Sequence, residues 1–174
     1  MKERQLQTER LNLDVLQVQD HDFIQQLLNT EGWLRFIGDR HIHSTGEAIA
    51  YINKIINTPH LTYWVARDKV TKMPVGIISF LKREYLEHFD IGFAFLPQAC
   101  GKGFAFEAAN RILSEADKDP QHAIVLATTV PENVASIGLL CKLGFSFQEE
   151  IVPNGLKLHV YYKKVTDKLP VTFQ

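Results

Sequence analysis

Cysteine is scarce in this sequence, with only Cys100 and Cys141 in 174 residues. Two thiols do not build the disulfide framework of a small secreted fold, so a reducing, cytoplasmic setting is expected. An excess of either charge is also missing: 19 Lys and Arg stand against 20 Asp and Glu, for a net charge of −1. No block of basic residues stands out, which argues against nucleic acid as a partner. No apolar run approaches membrane-spanning length. The polar start, Met1-Lys2-Glu3-Arg4-Gln5, lacks the apolar stretch of a signal peptide. Repeats, low-complexity tracts and linkers are absent as well. What remains is a chain with 45% hydrophobic residues, enough for one domain over residues 1–174 with a sizeable core.

The hydrophobic periodicity gives the order of elements. Residues 11–18 alternate apolar and polar side chains and read as a first strand. Residues 22–28 read as a short helix, with Phe23, Ile24, Leu27 and Leu28 on one stripe. A second helix spans 47–56, capped by Ser44 or Thr45. The period then changes. Residues 63–67 and 75–82 are strand-like runs joined by a hairpin connection, and 90–96 is a third such run, stopped by Pro97. From Phe104 to Ala116 the apolar residues return to helical spacing. A buried strand over 124–130 and a helix from about Glu132 to Leu143 follow, with Gly144 as a left-handed terminator. Residues 145–151 and 157–165 close the chain as an antiparallel pair through Pro153-Asn154-Gly155. The class is α/β with a mixed sheet. The strands at 90–96 and 124–130 are joined by a helical crossover, so they are expected to be parallel neighbours.

Between one of these strands and the longest helix stands Gln98-Ala99-Cys100-Gly101-Lys102-Gly103. Two glycines in a turn that opens into a helix point backbone N–H groups at one spot, at the positive end of the helix dipole. This suits a pyrophosphate. The dinucleotide fingerprint needs a third glycine where this chain has Phe104-Ala105-Phe106, and the Walker loop needs Ser or Thr where it has Gly103. Alone, the hexapeptide reads equally as a phosphate cradle or as a mere tight turn.

Its neighbourhood narrows the choice. Asp90-Ile91-Gly92-Phe93-Ala94-Phe95-Leu96-Pro97, followed by Gln98, Gly101 and Gly103, resembles the acyl-CoA-binding motif of the GNAT superfamily of N-acyltransferases. Pro131-Glu132-Asn133-Val134-Ala135-Ser136 with Lys142-Leu143-Gly144-Phe145 is similar to the region that completes the cofactor site in that family. Thr8-Glu9-Arg10-Leu11 with Leu13 resembles the first strand of the ribosomal-protein N-terminal acetyltransferase-like (RimJ/RimL) branch. The resemblance implies a mostly antiparallel central sheet flanked by about four helices, with a splayed parallel strand pair. Pantetheine would pair with free backbone groups of Phe93, Phe95 and Leu96 like an added strand. Pyrophosphate would rest on amides from Gln98 through Gly101, Lys102 and Gly103 to Phe104. Asn133 would hydrogen-bond the pantetheine arm, although an Asn there is equally suited to cap a helix.

The implied reaction moves an acetyl group from acetyl-CoA to a primary amine. Many members of the family place a tyrosine seven residues after the Asn as a proton donor to the leaving thiolate; this chain has Leu140 there. Ser136 becomes the candidate proton donor or thiol-orienting group, against an equal reading as a serine tied to a backbone carbonyl. Asp90 is the candidate base, directly or through water, against a reading as a strand-end surface charge. Glu84, Glu87 and His88 are weaker candidates. The demand for a base depends on the acceptor. An α-amine with a pKa of about 7.8 is roughly one-tenth neutral at pH 7, whereas a lysine is neutral about once in 2,500, a cost of about 4.6 kcal/mol. A sequence without an obvious base therefore leans toward an α-amine. Trp33, Phe36 and Asp39, in a segment connecting two helices, are candidates for the acceptor channel, with core packing as the other reading. Tyr161 and Tyr162 point to opposite faces of the last strand, so one of them can face the channel. His41 and His43 lack a third ligand, so no metal is expected. A monomer or homodimer fits equally. A protein or peptide α-amine and a small-molecule amine are the acceptors in view. A degenerate acyl-CoA-binding or regulatory module is the alternative from another class.

Overall fold

The computed structural model describes residues 5–165, so residues 1–4 of the polar start lie outside it. Eight strands form one sheet in the order β1-β2-β3-β4-β5-β6-β8-β7. In chain order these are β1 (Gln5–Gln7), β2 (Leu11–Val15), β3 (Leu61–Asp68), β4 (Pro74–Lys82), β5 (Phe89–Phe95), β6 (Ile124–Thr129), β7 (Ser146–Ile151) and β8 (Leu158–Lys164). Every neighbouring pair is antiparallel except β5 and β6. The parallel crossover expected around the Gly-rich turn is therefore present, carried by helix α4 (Phe104–Ala116).

Two layers of side chains cover the two faces of this sheet. On one face, Ile78, Phe80 and Ile91 pack with Ala108, Ile112 and Leu113 of α4 and with Leu140 of α5 (Val134–Lys142). On the other, Val65 and Ile77 pack with α1 (His21–Leu28), α2 (Glu31–Phe36) and α3 (Thr45–Ile56). Burying such stripes drives association of helix and sheet, at about 25 cal/mol per Å² of apolar surface. The helix ends follow local chemistry. Ser44 accepts from the Glu47 N–H while Glu47 reaches back to the Ser44 N–H, a reciprocal cap worth about 1 kcal/mol.

Some elements differ from the sequence expectation. The first long strand stops at Val15, because Val18–Asp20 turns helically into α1. The segment expected to connect two helices contains α2, so the helices number five among the described residues rather than about four. Thr30 caps α2 by accepting from the Trp33 N–H. The short β1 extends the sheet by pairing with β2. The helix expected from about Glu132 starts at Val134, with Asn133 as its cap. Gly144 is left-handed with φ +84°, as a helix terminator requires.

Candidate active site

The parallel pair is short. Strands β5 and β6 are in register only at Phe89 with Val125 and Asp90 with Leu126. Beyond Asp90 the strands diverge, while β5 stays paired with β4 as far as Phe95 and Gly76. Successive residues of a strand turn their N–H and C=O to opposite sides. The Leu96 N–H donates to the Val75 carbonyl at 2.9 Å, so Leu96 faces β4. Phe93 and Phe95 therefore present their backbone groups to the opening. Leu96 departs from the expectation: its N–H is used and its side chain is buried in the core beneath α1 and α3.

On each face of the β4–β5 pair a glycine of one strand lies opposite an intruding side chain of the other. A Cβ on Gly76 would lie 2.3 Å from the Phe95 ring, so the ring lies over the glycine. A Cβ on Gly92 would lie 2.6 Å from Ser79 Oγ. These close approaches hold β5, the strand that borders the gap, against β4.

The Gly-rich turn sits at the end of β5. Pro97–Ala99 form one helical turn, and then Gly101 and Gly103 both adopt left-handed φ, +75° and +79°. Gly103 caps α4 without a side chain. The amides that begin the helix are thus presented at an uncovered surface, with Gln98, Gly101, Lys102 and Gly103 exposed and Phe104 buried beneath them. The cradle fits a pyrophosphate on geometry, since no side chain grows from either left-handed position. Lys102 is an exposed side chain whose carbonyl accepts from Arg10 Nη1 at 2.8 Å.

Across the opening, Asn133 Oδ1 accepts from the Ser136 N–H at 3.1 Å. Asn133 is therefore a helix cap, and its amide nitrogen makes no hydrogen bond within the described residues. Ser136 is half-buried, and its hydroxyl makes none either. The alternative of a serine tied to a backbone carbonyl is not what the structure holds. Leu140, one turn on, is buried in the core and carries no proton to donate where many members of the family have a tyrosine.

Asp90 lies at the point where β5 and β6 part. It is 1% exposed, which rules out a surface charge. Arg83 donates to its Oδ2, and its Oδ1 makes no hydrogen bond. Burial pushes the carboxyl up to about 6, against the opposing pull of the Arg83 charge, its hydrogen bond and the nearby Thr128 N–H. The same face carries Tyr63, whose hydroxyl is pushed upward chiefly by burial and also by its bond with Tyr51. The positive fields of Arg83 and Arg40 reach it and act in the other direction. Sequence reasoning missed this set. Arg83, Tyr51 and Tyr63 carry no local motif, and only the register of Tyr63 with Ser79 and of Ser79 with Gly92 brings them alongside β5.

The remaining candidates are spread out. Glu84 and Glu87 are exposed and His88 is half-buried in the loop before β5. Trp33 is 5% exposed within the core between α1 and α3. Phe36 is half-buried beneath the Arg35 guanidinium, 4.9 Å from the ring centre. Asp39 is exposed and pairs with His41 Nδ1 at 3.2 Å. Asp39, His41 and His43 bring ligand atoms within 4.8 Å of one another, so a third group exists where the sequence offered two histidines, though all three are exposed. Tyr161 is buried in the core and Tyr162 packs on the opposite face near Leu126, as alternation required.

Comparison with known proteins agrees with this geometry. The family model described as acetyltransferase (GNAT) domain matches residues 10–146. A curated relative, the uncharacterized N-acetyltransferase YnaD of Bacillus subtilis (strain 168), is 26% identical over 160 residues, covering 85% of this chain and 88% of the relative. The ribosomal-protein-S5-alanine acetyltransferase of Vibrio fischeri superposes with a TM-score of 0.79 at 18% identity, covering 97% of this chain and 100% of that one. The spermidine N-acetyltransferase of Vibrio cholerae, solved with CoA and spermine, superposes with a TM-score of 0.75 at 22% identity, covering 90% and 98%. With the splayed parallel pair, the glycine cradle and a family model matched over most of its length, the chain belongs to the GNAT acetyltransferase family and is an acetyl-CoA-dependent N-acetyltransferase.

Proposed function

We propose that this enzyme acetylates an α-amine, that of a peptide, a protein N-terminus or an amino acid, by direct attack of the neutral amine on the thioester of acetyl-CoA. The observation that carries the reading is the state of Asp90. Among the described residues, the carboxylate buried beside the opening is Asp90; it is held by Arg83, and although burial raises it to about 6, that is still about four units below a lysine-like amine. Such a group cannot supply the roughly 4.6 kcal/mol needed to neutralise a lysine-like amine at pH 7. An α-amine, already about one-tenth neutral, needs little help. The structural neighbours include a ribosomal-protein-S5-alanine acetyltransferase and a spermidine N-acetyltransferase, so the fold alone does not choose.

In this reading the Phe93 and Phe95 backbone groups align pantetheine, and an N–H among them polarises the thioester carbonyl. The free amide nitrogen of Asn133 holds the pantetheine arm. The amine attacks the carbonyl carbon, the C–S bond breaks, and the thiolate takes a proton from Ser136, whose hydroxyl is unengaged. The proton lost by the amine passes through water to Asp90 Oδ1 and on to solvent, and Ser136 regains its proton from solvent, so both groups return to their starting states and no net proton is gained or lost. The experiment is thiol release from acetyl-CoA with an alanine-initiated peptide, a free amino acid and spermidine at equal concentration. Faster release with either α-amine supports the proposal. A preference for spermidine refutes it.

A further inference from the structure

The Thr8-Glu9-Arg10-Leu11 segment has no part in the chemistry above, yet it is wired into the phosphate cradle. Its hydrogen bonds converge on Glu107, in the first turn of α4. Thr8 Oγ1 donates to Glu107 Oε1, the Arg10 N–H donates to the same oxygen at 2.8 Å, and Arg10 Nε donates to Oε2 at 2.6 Å. From that anchor the guanidinium reaches the loop itself. Its Nη1 donates to the Lys102 carbonyl at 2.8 Å, and its Nη2 lies 3.3 Å from where a Cβ on Gly103 would be. The plane lies over the Phe104 ring, 4.7 Å from its centre. Nη2 makes no hydrogen bond within the described residues, and nearly half of the Arg10 side chain is open to solvent.

The arrangement answers a difficulty. A carboxylate in the first turn of a helix competes for the positive field that a pyrophosphate needs. Left alone, Glu107 would repel the donor from its own cradle. We propose that Arg10 completes the phosphate site: it cancels the Glu107 charge, fixes the loop through the Lys102 carbonyl, and presents Nη2 beside Gly103 to the pyrophosphate of acetyl-CoA. Thr8 acts behind it as a positioning residue, holding Glu107 for the guanidinium. The proposal rests on the acetyl-CoA reading of the cradle. It assigns to the strand-opening motif a role in donor affinity, separate from the acceptor and from the proton transfers.

The test compares two donors. Acetyl-CoA carries the pyrophosphate, whereas S-acetylpantetheine has the same thioester and pantetheine arm without it. Arg10→Ala is expected to weaken CoA binding, measured by calorimetry, about tenfold or more, in line with the loss of charge-assisted hydrogen bonds. It should raise KM for acetyl-CoA with kcat at saturation within about twofold, and leave kcat/KM for S-acetylpantetheine within about twofold. Adding Glu107→Gln to Arg10→Ala removes the uncompensated charge and should recover about threefold or more of the affinity. Three results overturn the proposal: CoA affinity in Arg10→Ala within twofold of wild type, equal losses with both donors, or a double variant no tighter than the single one. If Arg10→Ala does not fold, Arg10→Lys decides. One ammonium cannot span Glu107, the Lys102 carbonyl and the anion at once. Weaker CoA binding with S-acetylpantetheine turnover intact supports the role of Arg10, and wild-type affinity in that variant overturns it. A wild-type chain that binds no CoA would instead defeat the acetyl-CoA reading itself, so the two failures are distinguishable.

Discussion

Gly103 is where backbone conformation and ligand binding meet most closely. Its φ of +79° excludes a side chain for conformational reasons, and a Cβ there would also press on Arg10 Nη2 at 3.3 Å. Gly103→Val is expected to abolish measurable CoA binding; calorimetry showing retained affinity would move the phosphate elsewhere. Ser136→Ala should lower kcat about tenfold or more with CoA affinity within about twofold, the split expected of a proton donor that does not hold the cofactor. Unchanged kcat removes Ser136 from the chemistry. Asp90 gives a thermodynamic test. Its folded pKa of about 6 exceeds the unfolded value of about 3.9, so between these pH values the folded state holds a proton that the unfolded chain has lost. Its contribution to stability is therefore greatest below about pH 4, falls as pH rises to about 6 and is constant above. The unfolding free energy of wild type relative to Asp90→Asn should drop by about 2 kcal/mol between pH 4 and 7. Chemical denaturation showing a pH-independent difference contradicts the burial argument. At this scale the sequence was most informative where a residue's role is set by its neighbours in the chain. Gly101, Gly103 and Gly144 are left-handed because local turns require it. The partners of Asp90 and Arg10 lie at Arg83 and Glu107, which no local spacing reveals.

Among the elements, those with a strong period were legible: the amphipathic stripes of α3 and α4, and the apolar runs of β4 and β6. Helix α2 was not, because six residues give fewer than two turns of periodicity, and Trp33 is its only buried side chain. Strand β1 was hidden for a similar reason, with Leu6 alone buried in its three residues. The splay of β5 from β6 is a tertiary property. It depends on where pairing stops, at Asp90 and Leu126, and resemblance to the family anticipated it where periodicity had no access to it. The glycine opposite Phe95 makes this element testable. Gly76→Ala would force the Phe95 ring off its position, since the new methyl would stand 2.3 Å from a ring carbon. A loss of about 1–3 kcal/mol is expected, read as a lowered thermal midpoint together with a raised KM for acetyl-CoA. An unchanged midpoint would show that the ring relocates freely.

For the whole molecule, the sheet divides the labour between its two faces. Helices α4 and α5 on one side bring the phosphate cradle and Asn133 to the ends of β5 and β6. On the other side Tyr51 and Tyr63 pack against the core of helices α1 to α3, and Asp90, held by Arg83, lies where β5 parts from β6. Among the described residues, no helix is long and apolar enough to cross a membrane. The glycine turn was legible because Gln98 to Gly103 are contiguous in the sequence. The surroundings of Asp90, the acceptor side in the proposed reading, were not, because they are assembled from α3, β3, the start of the loop after β4 and β5. The central proposal joins the two sides: the acetyl group of coenzyme A goes to an α-amine. The direct measurement is the steady-state rate of thiol release from acetyl-CoA at pH 7 with an alanine-initiated peptide, a free amino acid and spermidine. The account predicts release that depends on an α-amine, with the highest kcat/KM for one of the two α-amine acceptors. Tight acetyl-CoA binding with no release above background for any of the amines would contradict it.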